Sequence, residues 1–225
     1  MLAAGGEDSA AARRALATLC ETYWYPLYAF VRRRGASPDD ARDLTQAFFT
    51  SLLARRDFDG LRRERGRFRA FLLASLDHFL ANDAARRRTL KRGGGVTFLP
   101  IAFDEAEGRY GHEPAEPLTP ETIFDRRWAL TVIERVLADL REESIASGQL
   151  DLFEHLKTAL TGDRVPGGYK AIAADIGSTE GAVKVAVHRL RRRFQEVLRA
   201  HIARTVDRPD EVDDEIRYLI NAVSR

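Results

Sequence analysis

A chain of 225 residues, 44% hydrophobic and 31% charged, carries enough apolar material for a packed core, which excludes a disordered polyelectrolyte. Its length suits two small domains of about 100 residues each, and its single cysteine, Cys20, excludes an internal disulfide and any zinc site built on paired thiolates. The formal net charge is only +2, no apolar run approaches the roughly 20 residues that span a bilayer, and the stretch MLAAGGEDSAAARR lacks the basic-then-apolar order of a signal peptide, so no membrane insertion and a cytoplasmic location are expected.

In chain order, Leu16, Leu19, Tyr23, Leu27 and Phe30 recur at steps of three and four and predict a helix, with Pro26 expected to kink it or to mark a fresh start. Gly35 reads as a stop, and Ser37-Pro38 as the cap and first residue of a second helix over about 38–55 that buries Ala41, Leu44, Phe48 and Leu52. After the polar stretch DFDGLRRERGR, a third apolar period runs through Phe68, Phe71, Leu72, Leu76 and Phe79 into the basic run RRRTLKR. Residues 93–121 are rich in Gly, Pro and acids and read as a flexible acidic linker. Helical spacing resumes with Phe124, Trp128, Val132, Val136 and Leu140, and a further helix is expected over 149–160 before TGDRVPGG breaks it. No alternating strand pattern and no fixed repeat appears, so the predicted fold class is all-α, with two small helical domains.

Residues 168–194, GYKAIAADIGSTEGAVKVAVHRLRRRF, have the make-up of a helix-turn-helix. Ile172, Ala173 and Ile176 supply an apolar face, Gly177 permits the positive φ of a tight turn, and Thr179 can cap the following helix. In that helix Val183, Val187 and Leu190 face inward, leaving Glu180, Lys184, His188, Arg191 and Arg192 outward where a DNA major groove could take them. An ordinary antiparallel helix pair with a solvated basic face fits the same spacing. The charge distribution favours DNA: residues 184–204 carry Lys184 and six arginines against Glu196 alone, and residues 86–92 carry five basic groups and no acid. Between these basic segments, residues 100–125 hold seven acids against Arg109. Two basic segments parted by acid suit contact with a polyanion at two places.

The helix-turn-helix resembles the promoter-reading element of extracytoplasmic-function sigma factors, carried here by Tyr169, Ile172, Ala173, Thr179, Glu180, Gly181, Val183, Lys184, His188 and Arg189. SPDDARDLTQAFFTSLL at 37–53 looks like the polymerase-binding helix of that family, and RGRFRAFLLASLDHFLANDAARRR at 65–88 looks like the segment that melts and reads the downstream promoter element. The resemblance spans nearly all of residues 13–204. It implies a region 2-like domain of three or four helices at 10–92, the linker at 93–121, a region 4-like domain at 122–204, and an acidic helical extension at 205–225.

The implied function is a sigma factor: no catalysis, no cofactor, no metal, and core RNA polymerase and promoter DNA as partners. Asp40, Asp43, Leu44, Gln46 and Phe49 would contact the coiled coil of the largest polymerase subunit, and the C-terminal domain the flap. Arg65, Arg67, Phe68, Asn82, Arg86 and Arg87 would read the minus-10 element, although a phenylalanine in this pattern, Phe68 or Phe71, is more often a core residue than a stacking platform. Thr179, Glu180, Lys184, His188, Arg189, Arg191 and Arg192 would read the minus-35 element. Two departures stand out. Arg42 and Ala47 occupy positions where the family favours acids, which suggests weak polymerase binding and makes Thr45 a candidate phosphorylation site for a Ser/Thr kinase; an anti-sigma partner is the other regulator the family implies. Val185-Ala186 replace polar residues, which would shift DNA specificity toward Lys184, His188 and Arg189. The tail at 207–224 is expected to form an amphipathic helix with Val212, Ile216, Leu219 and Ile220 inward, either as a structural cap or as a shield for the basic face.

Enzyme readings find no constellation: GDRVPGGYK lacks the Lys-Ser/Thr ending of a phosphate loop, GGG after Arg92 follows no strand, and the five histidines form no zinc-protease pair. A response-regulator-like transcription factor would need an alternating strand and helix receiver, and the N-terminal half reads as helices. A sigma-like decoy without initiation activity remains the other alternative.

Overall fold

The computed structural model describes residues 18, 20, 22–54, 67–89, 106–111, 118–160 and 168–224, and among these the only regular secondary structure is helical. Helix α1 covers 22–33 and runs through Pro26 without starting afresh. The rest follow as α2 Pro38–Ala54, α3 Phe68–Thr89, α4 Ala106–Gly111, α5 Pro120–Ala146, α6 Leu150–Leu156, α7 Gly168–Asp175, α8 Glu180–Ala203 and α9 Val212–Val223, with 3-10 turns at Lys157–Ala159 and Pro209–Glu211. They form two compact units, one comprising Met1–Thr131, Thr205–Asp207 and Arg217–Arg225, the other Val132–Arg204 and Arg208–Ile216.

The core of the first unit is aromatic. Tyr25, Leu27, Tyr28 and Phe30 of α1, Phe48 and Phe49 of α2, Leu72 and Leu76 of α3, and Ile123, Phe124 and Trp128 of α5 are all essentially inaccessible to water. The Tyr23 ring stacks on Trp128 at 3.9 Å between centroids, and Phe48 meets Phe79 edge to face at 5.8 Å. Gly35, at φ +90°, turns the chain after α1, and Ser37 caps α2 by accepting the Asp40 N–H at 3.1 Å. Pro38 then supplies a preset first helical residue with no N–H to satisfy.

Two features of this unit lie outside the sequence reading. Within the stretch expected to be a flexible linker, α4 places Glu107 against α1, where Arg32 donates to its carboxylate at 2.7 and 3.2 Å and the Tyr28 hydroxyl donates at 2.5 Å. Those bonds, Arg32 first, hold the Glu107 carboxyl below its ordinary value, while burial, and then Glu107 itself, pushes the Tyr28 phenol up. At the start of α3, the Arg69 guanidinium bonds to Asp125, the Tyr218 hydroxyl donates to the other Asp125 oxygen at 2.5 Å, and Arg69 lies 4.3 Å from the centroid of the Tyr218 ring. The Phe68 N–H donates to the Thr205 carbonyl at 2.8 Å, so the chain after residue 204 supplies partners to the first turn of α3.

The second unit packs Val132, Val136 and Leu140 of α5 inward, as their spacing predicts, together with Phe153, Leu156, Ile172, Val183, Val187, Val197 and Ile202. The helix expected over 149–160 is α6 followed by a 3-10 turn, and Gly148 at φ +69° turns the chain out of α5 ahead of it. Tail helix α9 corrects one expectation. Val212 and Leu219 are buried, but Ile220 is 56% exposed and Glu215 is buried in its place. The inward set 212, 215 and 219 keeps the three- and four-residue steps of one helix face, and residue 220 lies about 100° round from 219.

Candidate nucleic-acid interface

Helix α7, its turn and α8 form a helix-turn-helix within the second unit. Helix α7 ends as the composition predicts: Gly177 adopts φ +64°, the Ser178 N–H reaches back to the Ala173 carbonyl at 2.8 Å, and the Gly177 N–H to Ala174 at 3.4 Å. This pair of bonds satisfies the last carbonyls of α7 and needs a left-handed residue at the turn, which glycine takes without steric cost. Thr179 then stands in extended conformation, and its hydroxyl accepts the Ala182 N–H at 3.2 Å, capping α8. Leu156, Ala159, Ile172, Ala173, Val183 and Val187 close the core behind the motif, with Tyr169, Ala186 and Leu190 packed at its edge. Arg191 donates to the Ala159 carbonyl at 3.0 and 3.3 Å, tying the middle of α8 to the 3-10 turn after α6.

The outward side of α8 carries Glu180, Gly181, Lys184, Val185, His188, Arg189 and Arg192, all exposed. Lys184 pairs with Glu180 at 2.7 Å, and that bond raises the lysine and lowers the carboxyl from their ordinary values. Arg192 pairs with Glu196 at 3.2 Å, and Arg193 with Glu143 at 2.6 Å and Glu196 at 3.1 Å. These are solvent-screened pairs that a phosphate can replace at small cost. Of the seven predicted minus-35 residues, Thr179 is committed to capping and Arg191 to Ala159, while Glu180, Lys184, His188, Arg189 and Arg192 share the outward face. Ala186 packs at the edge of the motif's core, so of the pair Val185-Ala186 it is Val185 that stands fully exposed. Beside the motif, an open groove of about 310 Å³ is lined by Leu140, Phe153, Leu156, Leu190, Arg189 and Arg193, among others.

In the first unit the predicted residues divide. Asp40 and Asp43 are exposed and Leu44 is half-buried, but Gln46 and Phe49 are buried and cannot form a contact surface in this packing. Phe48 already fills the inward face, and Phe49, one residue on, is taken up by the same core. Thr45 is fully buried, and its hydroxyl lacks a hydrogen-bond partner among the described residues, so a kinase has no access to it in this fold. Phe68 is half-buried against Phe71 and Trp128, at 6.3 and 6.1 Å between centroids, which makes it a packing residue more than a stacking platform. Arg67 has its guanidinium 6.0 Å from the Tyr218 ring centroid, and Asn82 is exposed on α3. Arg65 and the side chains of Arg86 and Arg87 lie outside the described residues.

Sequence reasoning missed the Arg69–Asp125–Tyr218 cluster, because its members are 56 and 93 residues apart and no local pattern joins them. Among the described residues no cluster of His, Cys, Asp and Glu is arranged to hold a metal ion, and no helix is long and apolar enough to cross a membrane. Comparison with protein families, with curated proteins and with solved structures returned no match.

Proposed function

We propose that this chain is a promoter-recognition subunit of the sigma-factor kind, which binds core RNA polymerase and directs it to DNA through the helix-turn-helix of α7 and α8. The observation that carries the reading is the outward face of α8. A capped helix, held by a glycine turn on an apolar core, offers Lys184, His188, Arg189 and Arg192 to solvent along one side. That combination suits insertion into a major groove, with the arginines of the exit helix left for phosphates. The order of segments along the sequence, with a polymerase-helix resemblance at 37–53 ahead of the helix-turn-helix, turns a general DNA-binding reading into a sigma-factor one. Asp40, Asp43 and Leu44 remain as the polymerase-facing candidates on α2, and the groove lined by Leu140, Phe153 and Leu190 is the candidate seat for the flap.

The deciding experiment is run-off transcription from a genomic fragment library with core polymerase, with and without the purified chain. Start sites that require the chain support the reading. DNA binding without any new start site would favour a helix-turn-helix regulator or a decoy instead, and absence of both would refute DNA recognition altogether.

A further inference from the structure

Two residues on the outward face of α8 are poor choices for an isolated, solvated helix. Gly181 lies in its first turn, where glycine lowers helix stability, and a Cβ placed there would meet nothing within 4 Å. Internal packing therefore does not require a glycine. Val185, one turn further on, is β-branched and 51% exposed. A single exposed apolar side chain needs no explanation. Two locally unfavourable residues four apart, on the side of the helix that carries Lys184, His188 and Arg189, have a common one, because sequences break local rules where a ligand makes the demand.

We propose that Gly181 and Val185 form an apolar notch on α8 that takes the 5-methyl group of a thymine in the major groove. The inference rests on the DNA-binding reading above and names what this part of the face recognises. The thymine methyl is the apolar feature among the base edges of that groove, where the other groups are hydrogen-bond donors and acceptors. Missing side-chain atoms at Gly181 let a base edge come close to the backbone, and the Val185 isopropyl group supplies the apolar wall. Glu180 and Lys184, which pair at 2.7 Å, each precede one of the two notch residues and so lie about 100° round the helix from them. The apparent departure at residue 185 thus becomes a determinant of specificity.

The test starts from duplexes enriched out of a random pool by the full chain, alone or with core polymerase, with affinity read by fluorescence anisotropy. Replacing each thymine singly by uracil removes one methyl and leaves every hydrogen-bonding group in place. At one position the substitution weakens the wild-type complex about fourfold, the scale expected for exposing one buried methyl group. Val185→Ala binds the thymine and uracil duplexes equally. Gly181→Ala raises the unfolding temperature, because alanine favours the helix, yet binds the thymine duplex several-fold more weakly, because its Cβ occupies the notch. Indifference of the wild-type protein to uracil at every position overturns the notch while leaving DNA binding intact, as does undiminished discrimination by Val185→Ala. Failure to enrich any duplex refutes DNA recognition itself, and the notch falls with it.

Discussion

Replacing Asp125 by alanine probes the cluster at the start of α3. The Arg69 side chain is 8% exposed and that of Asp125 14%, so this pair is largely removed from water. Removing one partner of a buried ion pair leaves an uncompensated charge and costs about 3–5 kcal/mol. Arg69 keeps its contact with the Tyr218 ring in the variant, so its guanidinium is not left wholly without compensation and the expected loss is about 2–4 kcal/mol. For a chain of this size that lowers the unfolding midpoint by about 5–12 °C. Tryptophan fluorescence is the assay of choice, since both tryptophans, Trp24 and Trp128, belong to the first unit. Tyr218→Phe, which removes only the hydroxyl donated to Asp125, should cost about 1 kcal/mol. The double replacement Arg69→Met with Asp125→Leu should recover most of the loss, giving a coupling energy above about 1.5 kcal/mol in the double-mutant cycle. A cost below about 0.5 kcal/mol for Asp125→Ala, the value of an exposed pair, would refute the claim that the cluster is desolvated.

Three further outcomes are expected. Thr179→Ala, which removes the cap of α8, should destabilise the second unit by about 1 kcal/mol in urea melts, with Thr179→Ser close to neutral. The logarithm of DNA affinity should fall linearly with the logarithm of salt concentration, and Arg192→Ala should lower that slope by about one while weakening all sequences alike. The Glu107 carboxyl, held below its ordinary 4.5 chiefly by the hydrogen bond from Arg32, contributes stability that is fully present above that value and is lost as pH falls through the lower folded one. Urea midpoints followed by tryptophan fluorescence should therefore drop on acidification below about pH 4.5 by more in wild type than in Glu107→Gln.

The helical class and the helix-turn-helix were legible in the sequence because they depend on local rules. The steps Phe124, Trp128, Val132, Val136 and Leu140 predict one buried stripe and produce one. Gly177 and Thr179 announce the turn and the cap through the backbone geometry each residue permits. What could not be read depends on distance along the chain or on rotation about a helix. Glu107 lies in an acidic stretch that composition marks as a tether, and it becomes structural only because Tyr28 and Arg32 wait for it 79 and 75 residues earlier. Phe49 and Gln46 read as an outward face because an α2 with one apolar stripe would leave them there. The aromatic core wraps that helix more widely than a single stripe does, and it takes Thr45 with them. Ile220 was misplaced by one residue, which in a helix is enough to exchange core for solvent.

Arg191 carries a consequence for how the proposed reading head is aimed. A helix resting on an apolar bed can roll, and one residue of roll is about 100° of arc, enough to swap one set of side chains for another. The guanidinium that grips the Ala159 carbonyl acts as a detent against that motion, fixing the azimuth at which α8 shows its outer edge. Accuracy of sequence reading would then be set in part by a residue that never enters the groove.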